Sequence, residues 1–161
     1  MLVFLVSNHE IFSRIYRERA WNGDGIESSL SGPGSSKQAS HFYVTEVMKF
    51  IREHDIRSVV DIGHGDWFMW PPDAFKDVKY FGIDVADGIS NQATINFGCE
   101  NIIFQEADVT EPYFKIPVSD LVLIKDVLGH LTIRDIEIIL SKLFFHKYVI
   151  ICEGYKKNLL E

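Results

Sequence analysis

The sequence is short of cysteine, of positive charge and of long apolar runs, and each shortage argues against a class of protein. Its two cysteines, Cys99 and Cys152, stand far apart without CxxC or Cys/His ligand spacing, so neither a disulfide framework nor a structural zinc site is expected. No metal is expected at all, and a reducing, cytoplasmic setting fits. Sixteen basic residues against 23 acidic ones give a net charge of −7, with no long basic run, which makes a sequence-independent grip on nucleic-acid phosphates a poor expectation. The apolar opening Met1–Val6 has no basic leader, full hydrophobic region or small-residue cleavage site, and no run approaches membrane-spanning length. It reads as the start of a buried element in a protein without a membrane partner. Internal repeats, low-complexity tracts and a phosphate-cradling GxxxxGK[ST] loop are also lacking.

What is present suits one packed domain: 161 residues, of which 47% are apolar and 13% aromatic. From about Ile11 to Ala20, Ile11, Ile15 and Tyr16 recur at helical spacing among Arg14, Arg17, Glu18 and Arg19. Trp21 to Ser36, WNGDGIESSLSGPGSS, then breaks helix and strand alike and on composition is a linker. Helical spacing returns over His41–His54. Beyond it apolar runs near Ser58–Ile62, Lys79–Ile83, Ile102–Gln105, Leu121–Ile124 and Tyr148–Cys152 predict strands. Between them the pattern predicts a helix or turn near Trp67–Phe75 and helices near Ser90–Phe97 and Ile133–Leu143. Short strands alternating with helices mean βαβ units and a parallel sheet covered on both faces. The last strand is so uniformly apolar that, left as a sheet edge, it invites pairing with another chain, and a homodimer through it is one expectation.

Ligands of such sheets bind beyond the carboxyl ends of the strands, so the residues there carry the chemistry. After the first strand, Asp61-Ile62-Gly63-His64-Gly65 offers glycines for a tight turn and close backbone approach to a ligand. Asp84 ends the second strand, 23 positions beyond Asp61, where an acid can accept hydrogen bonds from both hydroxyls of a ribose. Asp108 follows the third strand, and Lys125, Asp126 and His130 follow the fourth. Blander roles compete. Asp61 and Asp66 each suit a helix cap, lone histidines such as His64 and His130 usually pack or face water, and Lys125 with Asp126 could form only a local ion pair. Trp67, Phe68, Met69 and Trp70 suit packing better than ring binding, and Glu106 and Asp120 read as structural. A dinucleotide fingerprint fails because Phe68 stands where a third glycine or alanine is needed.

VVDIGHGDW, YFGID, EADV and DLVLIKDVLGHL, in that order and spacing, resemble the class I methyltransferases that use S-adenosylmethionine. The similarity is greatest to a bacterial and phage-like subgroup with an SGPGS segment before a helix, and it runs from about Trp21 to Glu153. It implies a three-layer α/β/α sandwich, Rossmann-like, with parallel strand order 3-2-1-4-5, in a single domain: residues 1–36 as N-terminal helix and lid loop, residues 37–161 as core. Asp61, Gly63, His64 and Gly65 would then shape the pocket around the methionine part of the cofactor. Asp84 and the following Val85 would take the ribose, Asp108 and Val109 the adenine, and Lys125 would line the methyl-transfer side. Asp126 or His130 would be the base, if the acceptor needs one, and Ser31-Gly32-Pro33-Gly34-Ser35 would fold over the site.

Two departures stand out: His64 replaces a cysteine common in the subgroup's loop, and the two strands that follow the fifth in the family have no counterpart here. The expected activity is methyl transfer to a small-molecule acceptor. A catalytically inactive cofactor-binding or interaction module is the alternative, and a nucleotide-dependent oxidoreductase a weaker one.

Overall fold

The computed structural model describes residues 6–21 and 29–154. Five parallel strands form its centre: β1 (Ser58–Ile62), β2 (Lys79–Asp84), β3 (Ile102–Glu106), β4 (Leu121–Lys125) and β5 (Tyr148–Cys152). Their order is 3-2-1-4-5, as expected from the sequence, with Val60 of β1 opposite Phe81 of β2 and Val122 of β4. Leu121, Leu123, Val122 and Ile124 of β4 are fully buried, which explains an unbroken apolar run in place of an alternating one. One face packs on α2 (Lys37–Glu53) through Tyr43, Val47 and Ile51, and on α3 (Ile89–Phe97) through Ala93. The other packs on α4 (Ile133–Ser141) through Ile139.

Strand positions match the sequence pattern, and helix ends move where capping chemistry decides. The first helix, α1, runs Asn8–Arg17, starting in a Ser7/Glu10 capping box and stopping before Arg19, whose backbone is left-handed at φ 51°. Helix α2 begins at Lys37, ahead of the expected His41, because the Ser36 hydroxyl accepts from the Ala39 amide. The last helix is shorter than expected, giving way to a 3-10 turn at Leu143–Phe145. Of the linker, residues 22–28 lie outside the described residues, as does the apolar start up to Leu5, while Val6 is exposed.

Trp67–Phe75 forms turns, not a helix. Trp67 takes φ 59°, and Pro71-Pro72 removes two amide donors. The aromatic residues still pack as expected: Trp67 meets Tyr80 edge-on at 5.7 Å, and Phe75 lies between Trp70 and Tyr80 at 4.8 and 4.5 Å. Beneath them the Tyr80 hydroxyl donates to Asp61 at 2.7 Å. Burial pushes the Asp61 carboxyl up to about 7, against the pull of the Tyr80 hydrogen bond.

Phe75→Ala should cost about 3–5 kcal/mol of folding free energy in urea unfolding, because it empties a fully enclosed ring site. Phe144→Ala, at an exposed ring, should stay within about 0.5 kcal/mol.

Asp61 makes a pH prediction of definite sign. The folded state binds its proton more tightly than the unfolded chain does, so ionisation costs stability as pH rises from near 3.8 to about 7. Asp61→Asn should therefore gain on the native protein across that window and hold a constant offset above it. Urea midpoints of both proteins at a series of pH values check this, and an offset already constant below pH 7 would exclude it.

Candidate active site

The chain turns sharply out of β1 because Gly63 and Gly65 adopt left-handed φ of 74° and 60°. A Cβ on Gly63 would stand 2.4 Å from the Val127 side chain, and one on Gly65 would stand 2.2 Å from Ser31 Oγ. Only glycine permits this approach. The Gly65 amide donates to one oxygen of Asp84 and the Ala86 amide to the other, each at 2.9 Å. Asp84 at the end of β2 thus ties two loops, and each oxygen retains accepting capacity.

Beyond the strand ends lies a cavity of about 750 Å³, its open mouth included. Gly63, Asp84 and Val85 line one part, Asp108 and Val109 another, and Lys125, Asp126 and His130 the part after β4. Between them Ile62, Ile83, Ala107 and Val127 supply apolar walls. Among the described residues no group of acids, histidines and cysteines could hold a metal ion.

Three residues expected at the cofactor lie behind this wall. His64 is turned into the core, its Nε2 3.0 Å from Ser90 Oγ and its ring against Phe104. Gly82 makes the space, since a Cβ there would lie 2.9 Å from the imidazole. Burial holds the His64 imidazole below its ordinary range, so it packs as a neutral ring. The Asp61 carboxyl points toward Tyr80, and the Gly65 amide is spent on Asp84. All three support the turn without bordering the cavity.

Each rim acid is prepared by its neighbours. One oxygen of Asp108 accepts from the Thr110 amide and hydroxyl at 2.8 and 2.6 Å, and the Lys142 ammonium pins that loop by donating to the carbonyls of Val109 and Glu111. At β4 the Lys125 ammonium, almost enclosed, donates to the Asp126 carboxylate and, at 3.1 Å, to the Gly34 carbonyl. The other Asp126 oxygen accepts from the Gly154 amide at 2.6 Å. Asp126 holds φ 53°, a conformation disfavoured for a side-chain-bearing residue and kept here by contacts on both oxygens. Glu153 accepts from the amides of Val127, Leu128 and Gly129 and so fixes the loop that carries His130.

Part of the cavity's cover is the expected Ser31–Ser35 loop, but the share taken by α1 was not anticipated. Asn8, Phe12 and Tyr16, four residues apart on α1, all line it. Helix α1 is tied down by Asn8 to the Thr110 hydroxyl at 3.2 Å, by the Asp87 amide to Ser13, and by Tyr16 to Ser31. Burial, with the charge of Asp84, raises the Tyr16 phenol, which therefore stays protonated. The sequence showed a helix through Ile11, Ile15 and Tyr16, but not its start at Asn8 or what the Asn8, Phe12 and Tyr16 face would meet.

Asp66 is the other unanticipated residue. Its carboxylate accepts from the Ser29 hydroxyl at 2.8 Å and the Leu30 amide at 2.5 Å, and its amide donates to Ser31. The strap Ser29–Ser36 is thereby fastened beside the glycine turn, with Ser31 and Ser35 on the cavity.

No protein-family model and no curated protein matches the sequence. Solved structures do. Over 93% of this chain and 34% of the other, the fold is similar to a Haemonchus contortus phosphoethanolamine N-methyltransferase bound to phosphoethanolamine and S-adenosylhomocysteine, with a TM-score of 0.62 and 14% identity. A magnesium protoporphyrin IX methyltransferase from Synechocystis, with S-adenosylmethionine bound, aligns over 88% of this chain and 73% of its own at a TM-score of 0.60 and 16% identity. The methyltransferase domain of bacterial CtHen1 aligns over 68% of this chain at a TM-score of 0.56 and 14% identity, and the match spans 63% of that domain. The chain has the Rossmann-like methyltransferase fold.

Proposed function

We propose that this chain binds S-adenosylmethionine in the cavity under α1 and directs methyl transfer to a small-molecule acceptor. The observation that carries the reading is Asp84: a nearly enclosed carboxylate on the cavity wall, each oxygen bonded once by backbone and able to accept once more. That chemistry suits the two adjacent hydroxyls of a ribose. Gly63 leaves room for close approach at the turn, where a side chain would not fit. Val85, Ala107 and Val109 supply an apolar slot for a purine, with Asp108 as an acceptor at its edge. When bound, the cofactor supplies an electrophilic methyl group on sulfonium.

The protein's own share is alignment and, for an acceptor that must lose a proton, a base. Of the two candidates, Asp126 has both oxygens engaged by Lys125 and Gly154. His130 borders the same part of the cavity, and its imidazole meets rings but makes no hydrogen bond among the described residues. We assign the base to His130 and a positioning role to Asp126.

Titration calorimetry with S-adenosylhomocysteine tests the site. Asp84→Asn should weaken binding about 10- to 100-fold, the worth of hydrogen bonds to a charged acceptor. Folded native protein that gives no heat would exclude the cofactor, and undiminished affinity in Asp84→Asn would exclude the ribose assignment.

For an acceptor that is turned over, His130→Gln should lower kcat roughly 10²- to 10⁴-fold with the affinity for S-adenosylhomocysteine unchanged. Unaltered kcat would return the assignment to Asp126 or to no base.

A further inference from the structure

The cavity is closed on the side of His130 by rings. Trp21 stands over His130 with centroids 5.2 Å apart and planes at 39°, and Phe12 meets both, at 6.0 Å from Trp21 and 6.5 Å edge-on from His130. All three line the cavity. The collar spans two parts of the chain, α1 with its following turn and the loop after β4, and so meets whatever approaches the Asp126–His130 end.

Charge lining the cavity is one-sided. Asp84, Asp108 and Asp126 line the cavity, and Lys125 is the only lysine or arginine among the described residues to do so. Its ammonium is already committed to Asp126 and the Gly34 carbonyl and is almost enclosed. Arg14 and Arg17, on another flank of α1, border a separate groove with Asp87. A phosphate or carboxylate brought to the collar would face acids without a free lysine or arginine to pair with.

Resting on the methyl-transfer reading above, we infer that the acceptor is a planar aromatic or heteroaromatic molecule carrying a neutral hydroxyl or amine and no anionic group. Its ring would be held by Phe12, Trp21 and His130, through offset or edge-to-face contact of the kind those rings already make with one another. In the transfer, the acceptor's oxygen or nitrogen forms the new bond to carbon. The sulfur–carbon bond breaks with its electron pair passing to sulfur, and the acceptor's proton goes to His130.

The test uses the full chain loaded with S-adenosylhomocysteine, whose binding is measured first for every variant. Saturation-transfer NMR at pH 8 then compares catechol with 3,4-dihydroxybenzoate, and indole with indole-5-carboxylate, with phosphoethanolamine as an anionic probe without a ring. The neutral member of each pair should bind roughly tenfold or more tightly than its carboxylate, and Trp21→Ala should abolish that binding while Trp21→Phe keeps it. Failure of both neutral rings to bind the loaded protein overturns the inference. So does equal or tighter binding of the anionic probes, or neutral-ring binding undisturbed in Trp21→Ala. A folded protein that takes no S-adenosylhomocysteine overturns the methyl-transfer reading itself, and this inference with it.

Discussion

The amides of Gly65 and Ala86, each 2.9 Å from an oxygen of Asp84, tie the turn out of β1 to the turn out of β2. Much of the site hangs from that carboxylate. With the first turn fixed, Asp66 is placed to catch Ser29 and Leu30, and Ser31 can accept from the Asp66 amide while meeting Tyr16. With the second fixed, Asp87 donates to Ser13 and secures the middle of α1. A charged acceptor serving backbone donors in a nearly enclosed place is stronger than a neutral one, and losing it would strand amides as well as a cavity wall. Cover, strap and glycine turn therefore form one network with Asp84 at its centre.

Residues that touch nothing from the solvent side carry this arrangement from below. The Asp61 carboxyl meets Tyr80 in a core of aromatic rings and gives the turn a rigid floor. His64 completes it by filling the space that Gly82 leaves open. A polar side chain in the loop nearest a ligand is readily mistaken for a ligand contact. Here the pleat of β1 and the left-handed turn at Gly63 direct it inward instead.

The sheet was legible because its signals are local and strong. Val59, Val60 and Leu121–Ile124 are apolar runs that suit a covered parallel sheet, Tyr148–Cys152 extends it as an edge strand with Val149 and Ile151 exposed, and the acids after the strands fall on one rim by topology. The resemblance to methyltransferases supplied the strand order. What escaped was decided by contacts far apart in sequence. Asn8 meets Thr110, Tyr16 meets Ser31 and Asp66 meets Ser29, and nothing in the spacing of α1 names its partners. For Trp67–Phe75 the sequence left helix and turn open, and the two prolines with the left-handed Trp67 decide for turns.

Lys125 links the two halves of the site. Buried ammonium groups need full compensation, and here it comes from two sources that belong to different parts of the chain: the carboxylate of Asp126 and the carbonyl of Gly34 in the strap. Gly34 suits this close approach, since a Cβ there would lie 3.2 Å from the Asp126 carboxylate and press on it. If the strap lifts, the ammonium loses one of its two acceptors, so closure of the strap and the setting of Asp126 are energetically coupled. Asp126, at a positive φ, is held by Lys125 on one oxygen and the Gly154 amide on the other. The strap over the cavity and the β4 end of the site therefore share a single buried cation.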